Sequence, residues 1–74
     1  MQVQVRLYAT FRNDRFNEQM RDYPPGTTIK DVRDELKIEE SLVGTLFVDF
    51  KYATSDQVLH EGANLGIFPV GGGG

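Results

Sequence analysis

The chain has 74 residues, enough for one small domain. Eight Lys and Arg against eleven Asp and Glu leave a formal charge of −3, which excludes the net positive field that a nucleic-acid backbone binder needs. Cys is absent, which excludes disulfides, thiolate metal sites and thiol nucleophiles, and a hydrophobic content of 39% is too high for a disordered chain. No apolar run approaches the ~18–20 residues of a membrane span, and Met1-Gln2-Val3-Gln4 does not read as a signal peptide. The expectation is a soluble cytoplasmic domain with one core and no nucleic-acid or membrane partner.

In chain order, Val3, Val5 and Leu7 alternate with Gln4, Arg6 and Tyr8, the period of a half-buried first strand. Thr10 to Asp14 is turn-like, and Arg15 to Tyr23 predicts an antiparallel second strand with Phe16 and Met20 on one face. Pro24-Pro25-Gly26 stops that strand, because proline supplies no ladder donor. Thr28 and Asp31 have the spacing of a capping box, and Ile29, Val32 and Leu36 form the apolar stripe of a helix about three turns long. Ser41 to Gly44 connects to Thr45-Leu46-Phe47-Val48-Asp49-Phe50, a run that predicts a central strand buried on both faces. Lys51 to Gln57 fits a short edge strand or a loop. Val58 and Leu59 are expected to pack inward, Glu61 to Asn64 to turn, and Leu65, Ile67 and Phe68 to form the last strand before Pro69.

The order is ββαββ. One helix across one face of a mixed sheet buries both apolar surfaces economically, and this α+β arrangement is the β-grasp, or ubiquitin-like, fold. Residues 1–70 are expected to form it and residues 71–74 a flexible glycine tail.

Charge is uneven along the chain. Residues 1–30 carry five basic and three acidic side chains, residues 31–74 three and eight. Asp31, Asp34, Glu35, Glu39 and Glu40 are interleaved with Lys30, Arg33 and Lys37, the pattern of a solvated helix face with local ion pairs, with an acidic docking face for a basic partner as the alternative. Parts for catalysis are few. The sole His60 falls in a predicted turn with no thiol to activate, no spacing suggests a metal loop, and Gly71 to Gly74 lack the helix and Lys-Ser/Thr of a phosphate cradle. The chain is therefore expected not to be an enzyme itself and to bind no cofactor.

The informative feature is the terminus, Ile67-Phe68-Pro69-Val70-Gly71-Gly72-Gly73-Gly74. Glycines without side chains can thread a narrow channel in a partner and present the terminal carboxylate there. Gly71 to Gly74 extended reach about 13–14 Å. An incidental flexible tail is the alternative that composition leaves open. Strand parity puts Tyr8 and Phe68 opposite the core, so that Tyr8, Tyr52 and Phe68 are expected to form an exposed aromatic patch beside the tail's exit.

Val3-x-Val5-x-Leu7-Tyr8-Ala9, Pro25-Gly26-Thr27-Thr28-Ile29-x-Asp31-Val32, Leu46-x-Val48-Asp49 and Leu59-x-x-Gly62-x-x-Leu65-x-Ile67-Phe68-Pro69-Val70, leading to Gly73-Gly74, cover nearly the whole chain. On these residues it resembles the ubiquitin-like sulfur-carrier family, particularly the small subunit of molybdopterin synthase and its relatives in thiamine and thiolated-RNA synthesis. Asp49 stands where that family usually has Asn, one proline, Pro69, replaces two, and Gly71-Gly72 replace a more varied spacer. The resemblance implies that an E1-like adenylating enzyme uses ATP to activate the Gly74 carboxylate. A sulfur donor then makes the thiocarboxylate, and a downstream synthase subunit uses the sulfur in molybdopterin- or thiamine-type cofactor synthesis. Partner contacts are expected at the aromatic patch, Tyr8, Tyr52 and Phe68, and along Pro69, Val70, Gly71, Gly72 and Gly73. Two other functions stay open: a protein modifier conjugated through Gly74, and a non-covalent ubiquitin-like interaction module.

Overall fold

The computed structural model describes residues 1–71. It contains strands β1 (Gln2–Leu7), β2 (Glu18–Asp22), β3 (Val43–Val48), β4 (Lys51–Tyr52) and β5 (Ala63–Pro69), and one α-helix, α1 (Ile29–Glu35). The five strands form a single mixed sheet in the order β2-β1-β5-β3-β4. β1 runs parallel to β5 (Val3↔Ala63, Leu7↔Ile67) and antiparallel to β2, while β3 is antiparallel to β5 and β4. This is the expected β-grasp architecture.

Alternation decides which side of the sheet is dry. Val3, Val5 and Leu7 of β1, Leu46 and Val48 of β3, and Ala63, Leu65 and Ile67 of β5 all turn to one side. There they meet Ile29 and Val32 of α1 together with Phe11, Tyr23, Ile38 and Leu59. The other side keeps Gln4, Arg6, Asn64 and Gly66 in register and carries no helix among the described residues.

Helix α1 is shorter than its apolar stripe predicts. Its start is as read: the Asp31 N–H donates to Thr28 Oγ1 (3.2 Å) and the Thr28 N–H to Asp31 Oδ2 (2.9 Å), a complete capping box. Its end comes two turns later because Lys37 takes φ 59°. The Lys37 N–H then donates to the Asp34 carbonyl (3.0 Å) and the Ile38 N–H to that of Arg33 (3.1 Å), and Ile38 drops into the core. That is a Schellman stop built on lysine instead of the usual glycine.

Three further expectations are corrected. β2 begins at Glu18, not Arg15, so Phe16 lies outside it and packs at the core's margin, whereas Met20, opposite Gln4, is on the helix-free side and half exposed. β3 is dry on one face only and stops at Val48. Asp49 and Phe50 form the two-residue turn into β4 with φ 53° and 68°, leaving Phe50 76% exposed. Leu59 packs inward as expected, but its neighbour Val58, in an extended bridge to Thr28, points out. No helix among the described residues is long and apolar enough to cross a membrane.

A candidate docking face and the exit of the chain

On the helix-free side, the strand register lines up four rings. Tyr8, just past β1, stacks on Phe68 of β5 with centroids 3.9 Å apart and planes 5° from parallel. Phe47 of β3 meets Phe68 edge-on at 5.5 Å, and Tyr52 of β4 lies 4.9 Å from Phe47. Rings at these separations attract one another beyond their buried area. The result is one row, Tyr52-Phe47-Phe68-Tyr8, running from β4 across β3 and β5 to the end of β1.

The expected patch of Tyr8, Tyr52 and Phe68 is thus brought together, with two differences. Tyr52 is open to solvent, whereas Tyr8 and Phe68 are half-buried because their rings cover each other's faces. Phe47, absent from the expected set, is the ring that joins Tyr52 to Phe68. Its parity was readable, since Leu46 and Val48 turn inward on either side of it, but a strand taken as buried on both faces conceals that signal. Beside the row, Arg12 donates from Nε to the Leu7 carbonyl (2.7 Å) and holds its guanidinium 5.4 Å from the Tyr8 centroid.

The same groove that runs past Tyr8, Phe47, Tyr52 and Phe68 continues to Pro69, Val70 and Gly71. The root of the tail is fixed there by two features. The Val70 N–H donates to the Leu42 carbonyl (2.7 Å). Gly44 lies so close beneath Pro69 that a Cβ on it would stand 2.8 Å from the Pro69 carbonyl oxygen. Gly44 was not singled out in the sequence; a lone glycine beside a strand-prone run, marking close backbone approach, is the signal that could have found it. Pro69 is half-buried, Val70 is exposed, and Gly71 turns with φ 65°. The expected site residues Gly72, Gly73 and Gly74 lie outside the described residues.

At the other end of β5, His60 is exposed. Its Nε2 lies 2.7 Å from Asp49 Oδ2 and its Nδ1 2.9 Å from the Glu61 carbonyl, while Asp49 Oδ1 accepts the Asn64 N–H at 3.0 Å. The Glu61 carbonyl and the Asp49 carboxylate both favour the imidazolium and raise the His60 pKa, and the Asn64 N–H followed by His60 lowers that of Asp49. This cluster ties the Asp49 turn to the start of β5. Among the described residues no three His, Asp or Glu side chains stand together as a metal site would require.

Known proteins share the family pattern and the fold. The model of the ThiS family matches residues 5–74. Among solved structures, the chain is similar to a Pyrococcus furiosus protein assigned as molybdopterin converting factor, subunit 1 (TM-score 0.77, 25% identity, covering 93% of this chain and 97% of that one). It shares its fold with SAMP1 from Haloferax volcanii (TM-score 0.75, 14% identity, 100% of both chains). A second structure, small archaeal modifier protein 1 of H. volcanii, gives TM-score 0.74 at 14% identity over 92% and 95% of the two chains. No curated protein matches it.

Proposed function

This chain belongs to the ThiS family, and on that premise we propose that it is a sulfur carrier loaded at the carboxylate of Gly74. The observation that carries the proposal is that the family match runs through Gly74, beyond a root that the Leu42 and Gly44 contacts fix beside the ring row. An α-carboxyl with a pKa of about 3.5 is ionised near neutral pH, and a carboxylate is a poor electrophile. Activation is therefore required. The carboxylate attacks the α-phosphorus of ATP on an E1-like enzyme, and pyrophosphate leaves. A hydrosulfide equivalent from the sulfur donor then attacks the acyl carbon, AMP leaves, and the product is the thiocarboxylate plus a proton. A downstream synthase subunit draws sulfur from that group for a small acceptor of molybdopterin or thiamine type.

The carrier's own share is recognition and reach. Ordering each tail glycine costs about 1–2 kcal/mol, so a partner must offset several such terms through backbone hydrogen bonds and by docking the folded body. Residues 1–70 act as that body and 71–74 as the part that enters. The catalytic groups and ATP belong to the partner in this scheme.

The experiment is activation of the full chain and of a chain lacking Gly73-Gly74 by a ThiS-type adenylating enzyme with ATP, read as pyrophosphate release. The full chain is expected to support release and the shortened chain to lose it. Equal release from both contradicts the proposal. The modifier alternative shares the activated terminus and draws on the likeness to small archaeal modifier protein 1. It predicts a ladder of lysine conjugates on denaturing gels, where a pure carrier gives none.

A further inference from the structure

Phe50 is poorly explained by the stability of the fold. The two-residue turn Asp49-Phe50 joins β3 to β4 with both residues at positive φ, the geometry that favours Asn-Gly or Asp-Gly. A bulky side chain in the left-handed region is an outlier with a steric cost. Phe50 bears that cost while 76% exposed, so burial does not offset it. Its ring forms one wall of a hollow on the helix-free face, with Phe47 and Phe68 as further walls and Gly66 as the floor. Gly66 is buried and bare, and the nearest atoms to a Cβ there would be Tyr8 Cε2 at 3.5 Å and Phe47 Cβ at 3.7 Å.

The hollow is mostly apolar, its polar side chains being Asn64, Tyr8 and Arg6, and Arg6 is the one ionised side chain among the described residues that line it. Arg6 pairs loosely with Glu18 (Nε to Oε2, 3.4 Å), and its Nε is buried without a hydrogen bond. Arg12 lies near the neighbouring Tyr8 ring, so a second cation borders the row on a chain whose net charge is negative. Cationic groups at the edge of an apolar hollow complement an anionic group at the edge of an apolar protrusion.

We propose that the hollow between Phe50 and Gly66 is a socket for an apolar side chain of the adenylating partner, flanked there by a carboxylate that pairs with Arg6. The docking surface then extends from the tail exit to the β3–β4 turn at the opposite end of β5. Phe50 is kept in its conformation for binding. The inference rests on the carrier proposal for the identity of the partner, but not for the geometry of the socket.

The test compares wild type, Phe50→Gly, Phe50→Tyr, Gly66→Ala and Arg6→Gln by calorimetric binding to the adenylating enzyme and by thermal unfolding of the free chain. Phe50→Gly relaxes the turn and removes the wall. It is expected to raise Tm by about 4–8 °C and to raise Kd about tenfold, the scale of a modest interface anchor. Phe50→Tyr restores wild-type affinity. Gly66→Ala, whose methyl makes only ordinary contacts, folds and also binds more weakly because the floor is raised. Arg6→Gln lowers the salt dependence of Kd. Wild-type affinity in Phe50→Gly, a Tm for it at or below wild type, wild-type affinity in Gly66→Ala, or an unchanged salt dependence in Arg6→Gln overturns the proposal. Pyrophosphate release is read separately. An enzyme that binds wild type without activating it contradicts the carrier proposal and leaves the comparison of affinities intact.

Discussion

Asp49 sits at φ 53° and uses both carboxylate oxygens, one for the Asn64 N–H and one for His60. Asn also tolerates this backbone and could accept the same N–H, which gives a physical reason for Asn to be usual at the position. What Asp adds is charge facing an imidazole. His60 has a pKa raised above its ordinary 6.5, so the folded chain holds that proton more tightly than the unfolded chain does. Its contribution to stability is fully present below pH ~6.5 and is lost as pH rises through the raised folded value. Asp49, with a lowered pKa, contributes above its ordinary 3.8 and loses that contribution as pH falls through the lower folded value. Asp49→Asn is expected to move the His60 midpoint back toward 6.5 in an imidazole NMR titration and to flatten the stability profile near neutral pH. A midpoint that stays where it was would show that Asp49 does not hold the proton.

Among the elements, α1 depends most on its ends. Seven residues are too few for an isolated helix to persist, so the capping box and the packing of Ile29 and Val32 must hold it. Thr28→Ala removes the hydroxyl that accepts the Asp31 N–H and is expected to cost about 1 kcal/mol, a fall in Tm of roughly 4–8 °C for a domain of this size. Thermal unfolding by circular dichroism checks it; an unchanged Tm would mean that packing alone fixes the helix start. The cap was legible because its residues are local and chemically specific. The alternation of β1 and β5 was legible for the same reason, and it placed Tyr8 and Phe68 on the helix-free side. The stop at Lys37 was not, since a lysine in the left-handed region carries no signal of its own and is held there by Ile38 entering the core. β3 misled because Phe47 and Phe50 are as apolar as Leu46 and Val48, so the alternation that puts Phe47 in the ring row is hidden in a continuous apolar run.

For the whole molecule, the sheet's two faces divide the work. One face, covered by α1, supplies a small core. On the other, no helix or strand among the described residues covers the ring row, Arg6 or the groove to the tail root. Val70 is fixed to Leu42 at the root of the tail, and Gly44 sets how closely the chain passes. A partner that reads the face therefore meets the root of the tail, Pro69 to Gly71, at a fixed place, the pre-set positioning that the proposed carrier role requires. The most direct measurement is the intact mass of the chain after incubation with ATP, a ThiS-type adenylating enzyme and sulfide. A gain equal to the replacement of one oxygen by sulfur, located on the C-terminal fragment, is the predicted result; pyrophosphate release with no such gain on Gly74 would contradict the sulfur-carrier account.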